Sequence, residues 1–86
     1  MDKQIKVLLA DNSEQFGKPC AQVMNSKGLQ VQLHPKDGRQ LLDTILRESP
    51  DVVIMDVFLP RLDAIGVMRE VISRRKQERP HFMVMS

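Results

Sequence analysis

Oxygen-bearing side chains stand at the ends of three apolar runs in this 86-residue chain: Asp11 and Asn12 after IKVLLA, Asp56 closing DVVIMD, and Ser86 after HFMVM. Two carboxylates held close together repel, so one of them must keep its proton or a cation must sit between them. A hard divalent ion resolves that conflict. Mg²⁺ prefers oxygen ligands and is commonly held by one or two carboxylates together with waters and a phosphoryl oxygen. A strand-end acid also commonly caps the helix that follows it, and for Asp11 alone that is the better reading. Asp56 is different, because the next helix begins near Asp63, too far away for Asp56 to be its cap. Taken together, the three strand ends favour a site.

The elements that must gather these groups follow from periodicity. Residues 5–10 and 51–56 are continuous apolar runs, the pattern of parallel strands buried on both faces, while LQVQLH at 29–34 alternates as a half-exposed edge strand. Ser13 offers an N-cap to a first helix carrying Phe16, Cys20, Val23 and Met24 up to Gly28. Pro19 predicts a late start or a kink near residues 17–19. Asp37 caps a second helix with Leu41, Leu42, Ile45 and Leu46 on one stripe. A third helix, from about Asp63 to Gln77, presents Ile65, Met68 and Ile72 on one face with Val67 and Val71 beside them. HFMVMS closes the series as a fourth strand. Alternating strands and helices imply a parallel sheet with right-handed crossovers. In such sheets ligands bind beyond the carboxyl ends of the strands, where strand order reverses. If the first and third strands are neighbours, about 4.8 Å apart, Asp11 and Asp56 converge there.

Composition narrows the function classes. At 42% hydrophobic and 28% charged residues the chain reads as one folded domain, with no apolar run long enough to span a bilayer and no secretory signal in MDKQIKVLLAD. The single Cys20 fits a reducing cytoplasm and a core position rather than a reactive thiol. A net charge of +2, with no Trp or Tyr, argues against direct nucleic-acid binding, and the basic cluster at 74–76 reads as a solvated helix face. His34 and His81 lack metal-ligand spacing.

VLLADNS, VVIMDVFLPRLDAIGV and FMVMS resemble the receiver domain of two-component response regulators, and the likeness spans residues 1–86. Among receivers, PRLDAIGV and FMVMS look most like the stage 0 sporulation protein A group of transcription regulators. The resemblance implies an α/β flavodoxin-like (CheY-like) doubly wound parallel sheet with strand order 2-1-3-4. It also implies that Asp56 accepts a phosphoryl group from a histidine kinase or phosphotransfer protein. Mg²⁺ is then held by Asp11, Asn12, Asp56 and the backbone carbonyl of Phe58, and Ser86 is the switch hydroxyl. The implied role is that of a cytoplasmic phosphoacceptor controlling a transcriptional output. The resemblance implies no enzymatic activity beyond autophosphorylation and autodephosphorylation.

Departures from the family pattern are instructive. Asn12 replaces the usual second acid, which removes one negative charge and predicts weaker Mg²⁺ binding. Ala64 stands where glycine is common. A complete receiver would continue through a fourth helix, a fifth strand ending in a phosphoryl-contacting lysine, and a fifth helix. None of Lys3, Lys6, Lys18, Lys27, Lys36 or Lys76 sits at or beyond the fourth strand, so none is assigned that lysine's role. Only the first helix is expected to cover one face, leaving apolar positions of the third and fourth strands bare and the fourth strand as an open edge. Self-association through that strand or face follows as an expectation. Two competing readings stand beside the phosphoacceptor. One is a non-phosphorylated pseudo-receiver serving interaction or dimerisation. The other is a small hydrolase with a covalent aspartyl intermediate, which lacks a second acid because position 58 is Phe.

Overall fold

A computed structural model of the chain describes residues 4–86, so Lys3 lies outside the described residues. The elements alternate as the periodicity predicts: β1 (Lys6–Leu9), α1 (Gly17–Ser26), β2 (Gln30–Leu33), α2 (Gly38–Glu48), β3 (Val52–Asp56), α3 (Ala64–Arg74) and β4 (His81–Met85). All pairings are parallel, and the strand order is β2-β1-β3-β4. The reversal of order falls between β1 and β3. There Leu9 is level with Ile54, and the Ala10 amide continues the ladder to the Ile54 carbonyl at 2.8 Å. Two more residues along both strands set Asp11 level with Asp56.

Alternation of side chains across the sheet divides the core in two. Leu8 of β1, Ala10 just beyond it, and Val53 and Met55 of β3 pack with Leu41, Leu42 and Ile45 of α2 and with Val67 and Val71 of α3. Val7, Leu9 and Ile54 face the other way, against Cys20 and Met24 of α1 and Val31 and Leu33 of β2. No described helix is long and apolar enough to cross a membrane.

Three expectations are corrected. Ser13 does not cap α1. Its Oγ accepts hydrogen bonds from the Phe16 and Gly17 amides, at 3.1 and 3.2 Å, in a turn ahead of the helix, and Phe16 at the boundary makes no side-chain cap. The helix starts late, as Pro19 demanded. Starting at Gly17 puts the proline in the first turn, where its missing amide is one that no helix partner would have satisfied. The second correction concerns α3, which buries Ala64 with the expected Val67 and Val71, keeps Met68 packed at the edge of the core, and leaves Ile65 55% and Ile72 47% exposed. Both triplets make apolar stripes at helical spacing. The contact with α2 selects the one that meets Leu41 and Ile45. The helix also ends at Arg74 rather than Gln77. Arg75 leaves it in extended backbone, and its guanidinium donates to the Leu46 carbonyl and to Ser49 Oγ, joining the ends of α2 and α3. Arg75 of the basic cluster is therefore a structural clamp, whereas Lys76 is solvated.

The third correction is to the bare sheet face. β3 is largely covered, with Val53, Ile54 and Met55 buried and Val52 half-buried, so the most exposed apolar positions lie on β4. There Met83 is 56% exposed, in an open apolar groove with Phe16 and with Pro19 and Val23 of α1. Cys20 lines the same groove and is half-buried rather than part of a closed core.

Candidate functional site

The carboxyl ends of β1 and β3 deliver Asp11 and Asp56 side by side. Asp11 is buried, and the turn after β1 fixes it. The Ser13 amide donates to Asp11 Oδ1 at 2.9 Å, in the side-chain-to-backbone turn that Asp readily forms. Gly17 presses against the same residue, because a Cβ there would lie 1.7 Å from the Asp11 carbonyl oxygen and 2.9 Å from Oδ1. Only a residue without a side chain lets α1 approach so closely.

Asp56 is half-exposed and opens the loop to α3. That loop is firmly built. Leu59 is buried, the Ala64 amide donates to the Val57 carbonyl at 3.1 Å, and Asp63 caps α3 through the Gly66 amide at 2.8 Å. Phe58 projects outward, with its side chain 86% exposed.

Between the two carboxylates stands an ammonium group. Lys36, in the loop from β2 to α2, places Nζ 2.9 Å from Asp56 Oδ2 and 3.5 Å from Asp11 Oδ2. The hydrogen bond to Asp56 and the charges of both acids raise the Lys36 pKa above its ordinary value. Burial pushes the Asp11 pKa upward, but hydrogen bonds from Ser13 and the charge of Lys36 outweigh it, and the net shift is downward. Asp11 is thus held as a carboxylate.

Loop packing carries Lys36 to this position. Its neighbour His34 is buried, with Nδ1 donating to the Pro35 carbonyl at 2.8 Å and Nε2 hydrogen-bonded to Thr44 Oγ1 at 3.0 Å. Asp37 caps α2 through the Gln40 amide at 3.1 Å and pairs with Arg61 Nε at 2.9 Å. The Gly38 amide donates to the Pro60 carbonyl at 2.9 Å. The loop bearing Lys36 is stitched to the loop that follows Asp56.

Of the residues singled out from sequence, Asp11 and Asp56 are brought onto one cation. Asn12 is exposed next to them in the β1–α1 loop. Ser86 is exposed just beyond β4, where the Val57 amide meets the Met85 carbonyl at 2.9 Å, so it stands one residue further along the sheet than Asp56. Lys36 is what sequence reasoning missed, having counted lysines only at or beyond the fourth strand. The signal was available. In the order 2-1-3, the loop after β2 also opens at the carboxyl edge, and Lys36 lies three residues beyond Leu33.

The donor set fits a hard cation. Two carboxylate oxygens already converge on one positive charge, and among the described residues no cluster of three or more His, Cys, Asp or Glu surrounds them. A metal there would take these two oxygens and complete its shell with water, which is how Mg²⁺ is commonly held.

Comparison with known proteins agrees with this architecture. The family model for the response regulator receiver domain matches residues 7–86. A protein-glutamate methylesterase/protein-glutamine glutaminase of Symbiobacterium thermophilum is 36% identical over 76 residues, covering 87% of this chain and 21% of that protein. The response regulator MprA of Mycolicibacterium vanbaalenii is 33% identical over 67 residues, covering 78% of this chain and 29% of that protein. The chain therefore spans less than a third of the length of these relatives, and neither relative lends support to the narrower likeness to the sporulation group. The signal receiver domain of the response regulator NarL from Mycobacterium tuberculosis shares the fold, with a TM-score of 0.75 at 19% identity over 96% of this chain and 85% of that one. With the site geometry and a family match over nearly its whole length, the chain belongs to the response regulator receiver domain family.

Proposed function

We propose that this domain receives a phosphoryl group on Asp56 from a histidine kinase or phosphotransfer protein in the cytoplasm, and passes the change to an output module such as a transcription factor. The observation that carries this reading is the convergence of Asp11 and Asp56 on a single cation at the reversal point of the sheet. An Asp56 oxygen attacks phosphorus, the bond from phosphorus to the donor breaks, and the donor leaves with the electron pair. Asp11, Asn12, Asp56 and the Phe58 carbonyl are the groups that would hold Mg²⁺. When bound, the ion offsets negative charge on the transferring group. The acyl phosphate adds about 1.5 to 2 negative charges at the end of β3. Ser86, beyond the neighbouring β4, supplies the hydroxyl that turns toward it.

Incubation with acetyl phosphate and Mg²⁺, followed by intact mass, tests the assignment. The expected result is one phosphate-sized gain that is lost in Asp56→Asn. A gain that survives this substitution refutes the assignment. The ion pair between Lys36 and Asp56 favours a second reading, a pseudo-receiver that binds partners without being phosphorylated. No mass gain in the native chain is its signature.

The 86-residue chain also self-associates in this reading, through Met83 and Val84 of β4, Phe16, and Val23 of α1, all exposed. Light scattering at micromolar concentration tests this, and a stable monomer refutes it.

A further inference from the structure

We propose that Lys36 is an internal counter-ion that occupies the divalent-cation position, so that Lys36 and the metal exclude one another and metal binding must release Lys36 from Asp56. The inference rests on the metal site proposed above and concerns what fills it when no metal is bound. Three observations support it.

The first is contact. One Nζ reaches an oxygen of each acid, at 2.9 Å from Asp56 and 3.5 Å from Asp11, the range of charge-assisted hydrogen bonds and ion pairs. A metal ion held by the same two oxygens would compete for them with the ammonium. Two like charges so close repel strongly, so the two cations cannot share these ligands.

The second is the way the loop is held. Lys36 is flanked by His34, anchored through both ring nitrogens, and by Asp37, which caps α2 and pairs with Arg61 of the loop after Asp56. Its backbone is thus fixed relative to Asp56. The side chain, 45% exposed, keeps the freedom to swing into solvent. A fixed base with a mobile charged tip suits a group that must both fill a site and vacate it.

The third is where other charges go. Lys18 pairs with Glu14, Arg61 with Asp37, Arg47 with Glu48 and Arg74 with Glu70. Among the described residues, Lys36 alone is paired with Asp11 and Asp56. Its release has a chemical consequence, because the oxygen that Lys36 holds is an oxygen of the proposed nucleophile. A carboxylate oxygen donating a lone pair to an ammonium is a poorer nucleophile than a free one. The Lys36-paired form is therefore the resting form of the site.

Calorimetric titration with Mg²⁺ of the native chain, Lys36→Met and Lys36→Arg tests the inference, with thermal melts run in chelator. The expected result, from removal of a competing positive charge, is roughly tenfold tighter Mg²⁺ binding in Lys36→Met. That variant should also melt at a lower temperature without metal and be stabilised more by saturating Mg²⁺. Lys36→Arg, which keeps the charge, should bind no more tightly than the native chain. Unchanged or weaker binding in Lys36→Met, with the native chain binding Mg²⁺, overturns the competition while leaving the metal site standing. Equal tightening in both variants also overturns it, because charge would then not be the cause. If neither the native chain nor Lys36→Met binds Mg²⁺, the metal site itself is wrong and the competition falls with it.

Discussion

Gly17→Ala tests how the first acid is held in place. The added methyl would sit 1.7 Å from the Asp11 carbonyl oxygen and 2.4 Å from its carbonyl carbon, far inside contact distance and against backbone rather than a yielding side-chain tip. Overpacking of this kind costs about 1–3 kcal/mol. Replacing glycine by alanine in a helix ordinarily stabilises by up to about 1 kcal/mol, and that gain partly offsets the clash. The net expectation is a loss of about 1–2 kcal/mol, which for a domain of this size lowers Tm by about 4–16 °C. Relief of the clash must move either α1 or Asp11. Either movement spoils the alignment of Asp11 Oδ2 with Asp56, so Mg²⁺ affinity should fall by roughly tenfold as well. Gly28→Ala separates this from a general glycine effect. Gly28 has φ +91° and nothing within 4 Å of the added atom, so it should lose about 1 kcal/mol from backbone strain alone and bind Mg²⁺ normally. Urea unfolding and Mg²⁺ titration on the three proteins read both quantities. A Gly17→Ala protein matching the native chain in midpoint and affinity would refute the reasoning.

Two further outcomes follow from the charges. The Asp11 pKa is depressed in the folded chain below its ordinary 3.8, so its contribution to stability is complete above that value and is lost as pH falls through the depressed one. The stability difference between the native chain and Asp11→Asn, measured by urea unfolding, should stay constant above pH 3.8 and shrink below it; a difference that instead grows in acid contradicts the assignment. Asn12→Asp restores a negative charge at an exposed position beside the pair and should tighten Mg²⁺ binding severalfold, read by calorimetry. An unchanged affinity would show that residue 12 faces away from the ion.

Much of the fold was legible because its strongest signals are local. Continuous apolar runs at 5–10 and 51–56, alternation at 29–34 and the caps Asp37 and Asp63 each determine an element from its own residues. What failed required knowledge of a neighbour. The sequence of α3 contains two apolar stripes of similar quality, Ala64–Val67–Val71 and Ile65–Met68–Ile72. Hydrophobicity alone favours the second, because isoleucine outweighs alanine. The structure buries the first because small Ala64 and branched Val67 and Val71 let α3 sit close to α2, where Leu41 and Ile45 already fill the space. Ser13 shows the same limit. Its hydroxyl does bind backbone amides, as a cap should, but the helix begins only at Gly17, which seats against Asp11 and leaves Pro19 in the first turn.

The site was half legible for a related reason. A strand-end acid announces itself, because an apolar run ending in Asp56 leaves that carboxylate at the sheet edge whatever the loops do. A lysine in a loop does not, since its long side chain reaches many places and its position depends on how the loop is tied down. Lys36 meets both acids only because buried His34 anchors the loop on one side and Asp37, Gly38, Pro60 and Arg61 join it to the Asp56 loop on the other. None of those ties has a sequence signature of its own. A site read from its acids alone carries two negative charges and calls for a cation, whereas Lys36 already compensates one of them. The electrostatic demand for a metal at the proposed site is correspondingly smaller, in the same direction as the amide at Asn12, so both residues should weaken Mg²⁺ binding.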